Sequence, residues 1–245
     1  QDRAVINRMG FNNAGLEAFA DRLAHRGRGV VGANLGANKD SEDRVADYTA
    51  GLRRLWGMAS YFTINISSPN TPGLRALQTK AALEELLGRL MATADSLPQG
   101  VAAPMFLKVA PDLDDGEIEA ICDVVDDHDL AGVIVSNTTV SRPPLISRHR
   151  HETGGLSGAP LLGLSTQVLQ RFAEAAQGRF LLIGVGGVGS GADAYAKIRA
   201  GASAVQLYSA LAYEGPGLVT RIKRDLAQRL RADGFRSVAE AVGAR

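Results

Sequence analysis

The sequence has one cysteine, no excess of charge of either sign and no long apolar run. The single thiol, Cys122, excludes an internal disulfide framework and is compatible with a reducing compartment. The formal net charge of +1 argues against nucleic acid as a partner, because nucleic-acid binders carry a basic excess. No apolar stretch approaches the roughly 20 residues that span a bilayer, and no signal peptide is recognisable. Disulfide-stapled, nucleic-acid-binding and membrane-spanning classes are therefore disfavoured.

The chain is long enough to form one large globular domain. It contains 245 residues, of which 45% are hydrophobic, so it can bury a sizeable core. Cys122 lies in the amphipathic helical pattern EIEAICDVV, and we expect a core thiol rather than a nucleophile. The chain opens on QDRAVINRMGFNNAG, without an initiator methionine or an entry element. We therefore expect residues 1–245 to be a single domain that is incomplete at its N-terminus.

Short apolar segments alternate with helical patterns along the chain. The predicted strands cover residues 29–36, 61–67, 104–110, 132–138, 180–187 and 204–210. The predicted helices cover residues 41–56, 79–94, 114–127, 165–176, 191–202 and 217–230. Two helices have N-terminal capping patterns, Asp114 followed by Glu117 and Ser190 followed by Asp193. Because the strands are apolar on both faces, we expect a parallel sheet covered by helices.

Polar residues and glycine recur at the carboxyl ends of these strands. They are Asn34, Asn65, Lys108, Asn137, Gly186 and Tyr208. A (β/α)₈ barrel builds its active site on that rim, whereas a doubly wound sheet uses mainly its switch point. The pattern therefore favours an α/β fold of the (β/α)₈ TIM barrel type, of which this chain would lack the first two strand–helix units.

The glycine-rich segment GVGGVG, residues 184–189, has more than one interpretation. It satisfies G-x-G-x-x-G between a strand and a helix, which would indicate a Rossmann dinucleotide site. No acidic residue follows the next strand to hold a ribose, so we favour a barrel phosphate site. Gly186 and Gly187 would contribute amides from one side, with Tyr208 and Ser209 opposite. Taken alone, the segment is explained equally well by a tight turn that needs positive φ.

Lys108 follows apolar residues near the carboxyl end of its predicted strand, where an unpaired charge is costly to bury. It could form a Schiff base, hold an anionic group such as the electron-rich edge of a reduced flavin, or simply extend to solvent. The amides of Asn34, Asn65 and Asn137 could bind a planar heterocycle or a carboxylate, although each alone is typical of a turn or a cap. The residues by themselves leave these alternatives open.

Several motifs occur together in a characteristic order and spacing. They are NRMGFNN, NISSPNTPGLR, FLKVAPDL, SNTT, TGGLSG, IGVGG and QLYSA. With them the chain closely resembles dihydroorotate dehydrogenases of the quinone-dependent class over essentially its whole length. The resemblance implies a (β/α)₈ barrel that binds FMN and oxidises dihydroorotate to orotate in pyrimidine synthesis.

The resemblance also implies a catalytic base. By its match to NISSPNTPGLR, Ser68 would remove the C5 proton of the substrate while the flavin accepts hydride from C6. Thr71 and a water near Phe11 are hypothetical relay partners for this weakly basic hydroxyl. Pro69 and Pro72 are expected to stiffen the loop, since each fixes its own φ and restricts the residue before it.

Ligand contacts are implied in the same way. For the substrate they are Asn7, Asn65, Asn70, Asn137 and Thr138, with Asn7, Arg8, Met9, Gly10 and Phe11 as a wall of the pocket. For FMN they are Asn34, Asn65, Lys108, Ser136, Gly158, Gly187, Tyr208 and Ser209. Lys108 would lie beside the flavin N1 and O2 edge. Ser136 stands where relatives often have threonine, which preserves the hydroxyl.

Ser68 also indicates the subclass, because relatives that use fumarate or NAD carry cysteine at this place. The implied electron acceptor is ubiquinone or menaquinone, and an N-terminal helical segment, absent from this sequence, would hold the enzyme at the membrane. We expect a peripheral protein at the cytoplasmic face of a bacterial membrane, with the mitochondrial inner membrane as the alternative.

The long polar segment 140–155 is expected to be a mobile cover over the orotate pocket. Two of its residues, His149 and His151, are not accompanied by the carboxylates or thiolates of a typical metal site. We therefore expect a solvated basic face rather than a metal site. Two rival functions stay open. One is a phosphate-binding barrel lyase or isomerase that uses Lys108 for a Schiff base, and the other is a non-catalytic flavin-binding module.

Overall fold

A curled parallel sheet packed with helices forms the body of the protein in a computed structural model, which describes residues 1–71 and 73–244. The strands are β1 (Ala4–Asn7), β2 (Gly32–Leu35), β3 (Tyr61–Asn65), β4 (Met105–Val109), β5 (Gly132–Val135), β6 (Gly155–Gly158), β7 (Leu181–Val185) and β8 (Ala204–Gln206). The α-helices are α1 (Leu16–Ala24), α2 (Arg44–Leu55), α3 (Lys80–Asp95), α4 (Asp115–Asp127), α5 (Leu162–Ala176), α6 (Gly191–Arg199), α7 (Ser209–Glu214), α8 (Gly217–Ala232) and α9 (Val238–Ala241). Over the described ranges, none of these helices is long and apolar enough to cross a membrane. Pro72, which was expected to stiffen its loop, lies outside the described residues.

The sheet has the order expected of successive βα units. Its strands run β2-β3-β4-β5-β7-β8, and every neighbouring pair is parallel. The carboxyl ends of these strands therefore lie at one edge of the sheet. The predicted alternation of strand and helix, and the parallel sheet that it implied, are both confirmed. The arrangement is that of consecutive units of a (β/α)₈ barrel.

The main hydrophobic core lies between the sheet and its helices. Phe62 and Ile64 of β3, Leu107 of β4 and Leu86 of α3 are fully buried there. Cys122 of α4 is buried in the same cluster, which confirms the expected core thiol. Burial raises the pKa of this thiol to about 11, so it is protonated and unreactive at neutral pH.

Both predicted capping patterns are present. The Asp114 carboxylate accepts from the Glu117 amide at 2.8 Å, and the Glu117 carboxylate accepts from the Asp114 amide at 2.9 Å. The Ser190 hydroxyl accepts from the Asp193 amide at 3.1 Å. These caps set the starts of α4 and α6, the helices that follow β4 and β7.

The antiparallel pair of β1 and β6 was not predicted. Ala4 pairs with Gly158, and Asn7 pairs with Gly155. Gly158 has a φ of 93°, and a Cβ there would lie 2.4 Å from the carbonyl oxygen of Arg3. Only glycine permits this approach without displacing the backbone, and the pairing brings the N-terminal segment to the edge where the parallel strands end.

The predicted strand at residues 204–210 is too long. β8 ends at Gln206, and α7 begins at Ser209. Tyr208 and Ser209 therefore lie at a turn into a short helix rather than in a strand. This turn still faces the same edge of the sheet as the other strand ends.

Candidate functional site

A cavity of about 870 Å³ opens at the carboxyl ends of the parallel strands. Its walls include these predicted site residues: Asn7, Arg8, Met9, Gly10, Phe11, Asn65, Ser68, Asn70, Lys108, Ser136, Asn137, Thr138, Gly158, Gly187, Tyr208 and Ser209. The structure thus brings together side chains from segments far apart in the sequence. Among the described residues Asn34 is not part of the cavity wall, and it is joined to the site through Asn65, whose Nδ2 donates to Asn34 Oδ1 at 3.1 Å.

Ser68 lies on the loop after β3 and faces this cavity. The side chain is buried, and its Oγ accepts a hydrogen bond from the Asn70 amide at 3.3 Å. That amide would stabilise negative charge on the oxygen. Thr71 is also buried, but among the described residues no hydrogen bond joins Thr71 to Ser68. A relay between the two hydroxyls therefore requires an intervening group.

A chain of polar side chains crosses the ends of neighbouring strands. Asn137 Nδ2 donates to Ser67 Oγ at 3.0 Å, and Ser67 Oγ donates to Asn65 Oδ1 at 3.0 Å. Asn137 Oδ1 accepts from the Thr138 amide at 2.7 Å. Each amide is oriented by these contacts and keeps an N–H for the cavity. The arrangement suits a planar ligand with acceptors along its edge.

Asn70 holds the N-terminal wall of the cavity in place. Its Nδ2 lies 2.8 Å from the carbonyl oxygen of Met9 and 3.1 Å from Asn7 Oδ1. Asn7 in turn donates to the carbonyl oxygen of Gly155 on β6 at 3.4 Å. The loop that carries Ser68 is thereby joined to the segment at residues 7–11.

Lys108 brings an uncompensated positive charge to the cavity wall. It lies at the end of β4, opposite Asn65 in the register with β3. In the described part of the chain, no hydrogen bond or ion pair reaches its ammonium group. Burial lowers the pKa of Lys108, as expected of an ammonium without a counterion. The site therefore favours a ligand with an anionic or electron-rich edge at this point.

The glycines after β7 form a narrow backbone turn at the opposite side of the cavity. Gly186 and Gly187 have φ values of 107° and 80°, so the expectation of positive φ is correct. A Cβ on Gly187 would lie 2.5 Å from the backbone of Leu162. Among the residues that the structure describes, the Gly187 amide has no acceptor. An amide without an acceptor beside glycine backbone is a suitable donor to an anion such as phosphate.

Arg75 and Asp112 support the site, although neither was predicted to do so. The Arg75 guanidinium donates to the carbonyl oxygen of Ser67 at 3.3 Å, to that of Thr138 at 3.1 Å and to Asp112 Oδ2 at 2.9 Å. Asp112 also accepts from the hydroxyls of Thr139 and Ser141. Arg75 belongs to the motif NISSPNTPGLR and Asp112 to the motif FLKVAPDL, so both supporting residues could have been found within motifs already identified.

Replacing Arg75 with methionine is expected to lower the free energy of unfolding by roughly 2 kcal/mol, because a partly buried carboxylate loses its cation. The Arg75 and Asp112 side chains are only 25% and 18% exposed. Urea denaturation measures the change. Arg89→Met is the matched control, since Arg89 pairs with Asp43 at 3.0 Å on an exposed face and should matter much less. Equal losses in the two variants would contradict this prediction.

The segment that was expected to cover the pocket lies beside it. The Asp2 carboxylate accepts from the amides of Ile146 and Ser147, and Arg8 pairs with Glu152 at 2.7 Å. Over the described residues, nothing in the segment 140–155 lines the cavity. Its mobility stays a prediction, which hydrogen exchange with and without orotate can measure. Exchange unaffected by orotate would count against a cover.

His149 and His151 are not joined by further ligands. Within residues 1–71 and 73–244, no group of three or more His, Cys, Asp or Glu side chains is arranged to hold a metal ion. His149 Nε2 instead accepts from Arg148 Nε at 3.1 Å.

Comparison with known proteins gives a consistent result. Residues 1–230 match the family model for dihydroorotate dehydrogenase. A dihydroorotate dehydrogenase (quinone) of Rhodospirillum rubrum is 59% identical over 246 residues, which cover 100% of this chain and 67% of that protein. The corresponding protein of Parvibaculum lavamentivorans is 56% identical, over 99% of this chain and 69% of its own. The chain thus spans about two thirds of the length of these curated relatives.

Solved structures of DHODH from Eimeria tenella have the same fold. The complex with ferulenol has a TM-score of 0.94 and 38% identity, covering 99% of this chain and 71% of that one. The ligand-free form has a TM-score of 0.94 and 39% identity, covering 99% and 74%. With these neighbours, the predicted TIM-barrel class is confirmed.

Proposed function

The chain belongs to the dihydroorotate dehydrogenase family, and we propose that it oxidises dihydroorotate to orotate with a quinone as the electron acceptor, in the synthesis of pyrimidines. The observation that carries this proposal is the shared cavity, where a buried serine hydroxyl and an uncompensated lysine face the same space. We also propose that residues 1–245 act as one FMN-binding catalytic domain.

FMN fits the donors that line the cavity. The charge of Lys108 would face the electron-rich edge of the flavin at N1 and O2, and the free amide of Gly187 would bind its phosphate. When bound, FMN supplies the acceptor for the hydride from substrate C6. The other contacts proposed for FMN come from Asn65, Ser136, Gly158, Tyr208 and Ser209. Asn34 would act indirectly, by orienting the amide of Asn65.

The substrate would occupy the space between the amide chain and the N-terminal wall. Asn7, Asn65, Asn70, Asn137 and Thr138 would supply hydrogen bonds to its ring and carboxylate. Residues 7–11 would close the pocket on one side, with the side chains of Arg8, Met9 and Phe11 and the backbone of Gly10. Because these groups are tied to one another, little ordering would remain to be done when the ligand binds.

Ser68 would take the C5 proton of the substrate. A serine hydroxyl is a weak base, so the reaction depends on the exclusion of water and on donors that stabilise charge on Oγ. The Asn70 amide is such a donor, at 3.3 Å. The proton would then leave through an ordered group between Ser68 and Thr71. The proposed base and its stabilising donor would then belong to the same loop.

Electrons would leave to a lipid-soluble quinone, either ubiquinone or menaquinone. The relatives described above are named for quinone, and the motif resemblance implies the same subclass for a chain that carries serine at position 68. We therefore propose peripheral contact with a membrane, at the cytoplasmic face of a bacterial cell, through the N-terminal segment that the resemblance implies.

Anaerobic mixing with dihydroorotate tests the proposal. The yellow absorbance of the flavin should bleach, and addition of a ubiquinone analogue should restore it. A yellow protein that dihydroorotate does not bleach would favour a flavin-binding module. A colourless protein that borohydride traps as a substrate adduct of Lys108 would favour a Schiff-base lyase instead.

A further inference from the structure

Lys197 is a fully buried lysine that the proposed chemistry does not use. It lies on α6 with 0% of its surface exposed, and it is not part of the cavity wall. Its ammonium group donates to Ser165 Oγ on α5 at 2.6 Å. Burying an ammonium group costs free energy. The position of Lys197 beside the glycine turn, which is formed by Gly186 and Gly187, therefore requires an interaction that offsets this cost.

Ser165 connects the Lys197 ammonium group to the backbone of the glycine turn. Its Oγ lies 3.0 Å from the carbonyl oxygen of Gly186 and 3.2 Å from that of Leu162. A hydroxyl has a single proton to donate. The Leu162 carbonyl already accepts from Thr166 Oγ1 at 2.7 Å. The proton of Ser165 is therefore best directed at Gly186.

The Gly186 carbonyl and the Gly187 amide belong to one planar peptide group and point in opposite directions. Ser165 holds the carbonyl toward the protein interior, which leaves the Gly187 N–H for a ligand. Close packing supports this orientation, because a Cβ on Gly186 would lie 2.9 Å from Ser165 Oγ. The turn cannot rotate without losing these contacts.

Building on the proposed function, we propose that Lys197 and Ser165 are positioning residues for the flavin phosphate. The ammonium polarises the Ser165 hydroxyl, the hydroxyl polarises the Gly186 carbonyl, and the Gly187 amide becomes a stronger donor to an anion. Burial lowers the pKa of Lys197 to about 7, with Asp193 opposing the shift. An anion bound at Gly187 would favour the charged form of Lys197. Anion binding and protonation of Lys197 therefore reinforce each other.

Comparing FMN with riboflavin, which lacks the phosphate, tests this inference. Flavin is removed from the holoenzyme, and quenching of flavin fluorescence gives dissociation constants for both ligands. In Ser165→Ala the FMN constant should rise about tenfold, since a hydrogen bond to a charged group is weakened, while the riboflavin constant stays within about twofold. Lys197→Met should act in the same direction. Should the methionine variant not fold, Ser165→Ala decides the question alone.

Thr166→Val is the matched control, because Thr166 donates to Leu162 and, within the described residues, no hydrogen bond joins it to Gly186. It should leave both constants unchanged. Equal loss of FMN and riboflavin affinity in Ser165→Ala, or no loss of either, would overturn the role in phosphate binding. A wild-type protein that dihydroorotate bleaches would then still support the proposed function. A wild-type protein that binds neither flavin would overturn both proposals.

Discussion

Ser68→Ala is expected to slow reduction of the flavin by dihydroorotate by about 10²- to 10⁴-fold, the range typical of removing a positioned acid or base. The FMN content should not change, because the alanine removes only the oxygen that faces the substrate. Stopped-flow absorbance under anaerobic conditions measures the rate in the holoenzyme. The loop should keep its shape, since Asn70 also binds residues 7–9 through its side chain.

Ser67→Ala is the control for this experiment. Ser67 is a buried neighbour of the same type, but its hydroxyl bridges the amides of Asn65 and Asn137. Its loss should weaken dihydroorotate binding more than it slows the reaction at saturating substrate. If Ser68→Ala reduces the flavin at the wild-type rate, Ser68 is not the base.

Lys108→Met is expected to affect activity and stability in opposite directions. Flavin reduction should fall by about 10²- to 10³-fold, because the charge facing the pyrimidine edge of the flavin is lost. The flavin-free protein, however, should become more stable at pH 7, since an ammonium without a counterion no longer has to be buried. Stopped-flow absorbance and urea denaturation measure the two effects. Lys223→Met, on the exposed face of α8, should change neither.

The stability difference at Lys108 should depend on pH. Burial lowers the pKa of Lys108 below its ordinary value of 10.5, so between the two values the folded protein binds fewer protons than the unfolded chain. The contribution of Lys108 to the free energy of unfolding of the wild type therefore rises as the pH increases through that window. The advantage of the methionine variant should shrink accordingly. An advantage that is constant from pH 7 to pH 10 would argue against an uncompensated cation.

The sequence predicts well what depends on local pattern. The parallel strands follow from short apolar runs, because a strand buried on both faces cannot alternate with polar residues. The caps at Asp114 and Ser190 follow from the side chains that helix starts need. The polar positions at the strand ends converge because parallel strands end at one edge. Local pattern therefore identifies the strand-end positions, whereas Ser68, Asn70 and residues 7–11 were expected only from the family resemblance.

Contacts between distant side chains are not predictable in this way. The segment GLSG at residues 155–158 has neither a helical nor a strand period. β6 therefore could not be predicted from the sequence and is identified by its pairing with β1. Lys197 occupies a core position of an amphipathic helix, where its partner Ser165 on another helix cannot be inferred from spacing. The hydrogen bond from Asn65 to Asn34 likewise joins two neighbouring strands and cannot be read from either segment alone.

Ser157 Oγ donates to the carbonyl oxygen of Val5 across 152 positions of chain. The wall formed by residues 7–11 therefore cannot close during synthesis until the ribosome has passed β6. At about 5–20 residues per second, this delay is roughly 8–30 s. Throughout that interval β1 lacks the strand with which it pairs in the folded structure, and its edge is open to wrong pairing. Cofactor capture on the ribosome would have to wait longer, until Gly187, Tyr208 and Ser209 of the cavity wall have also been made.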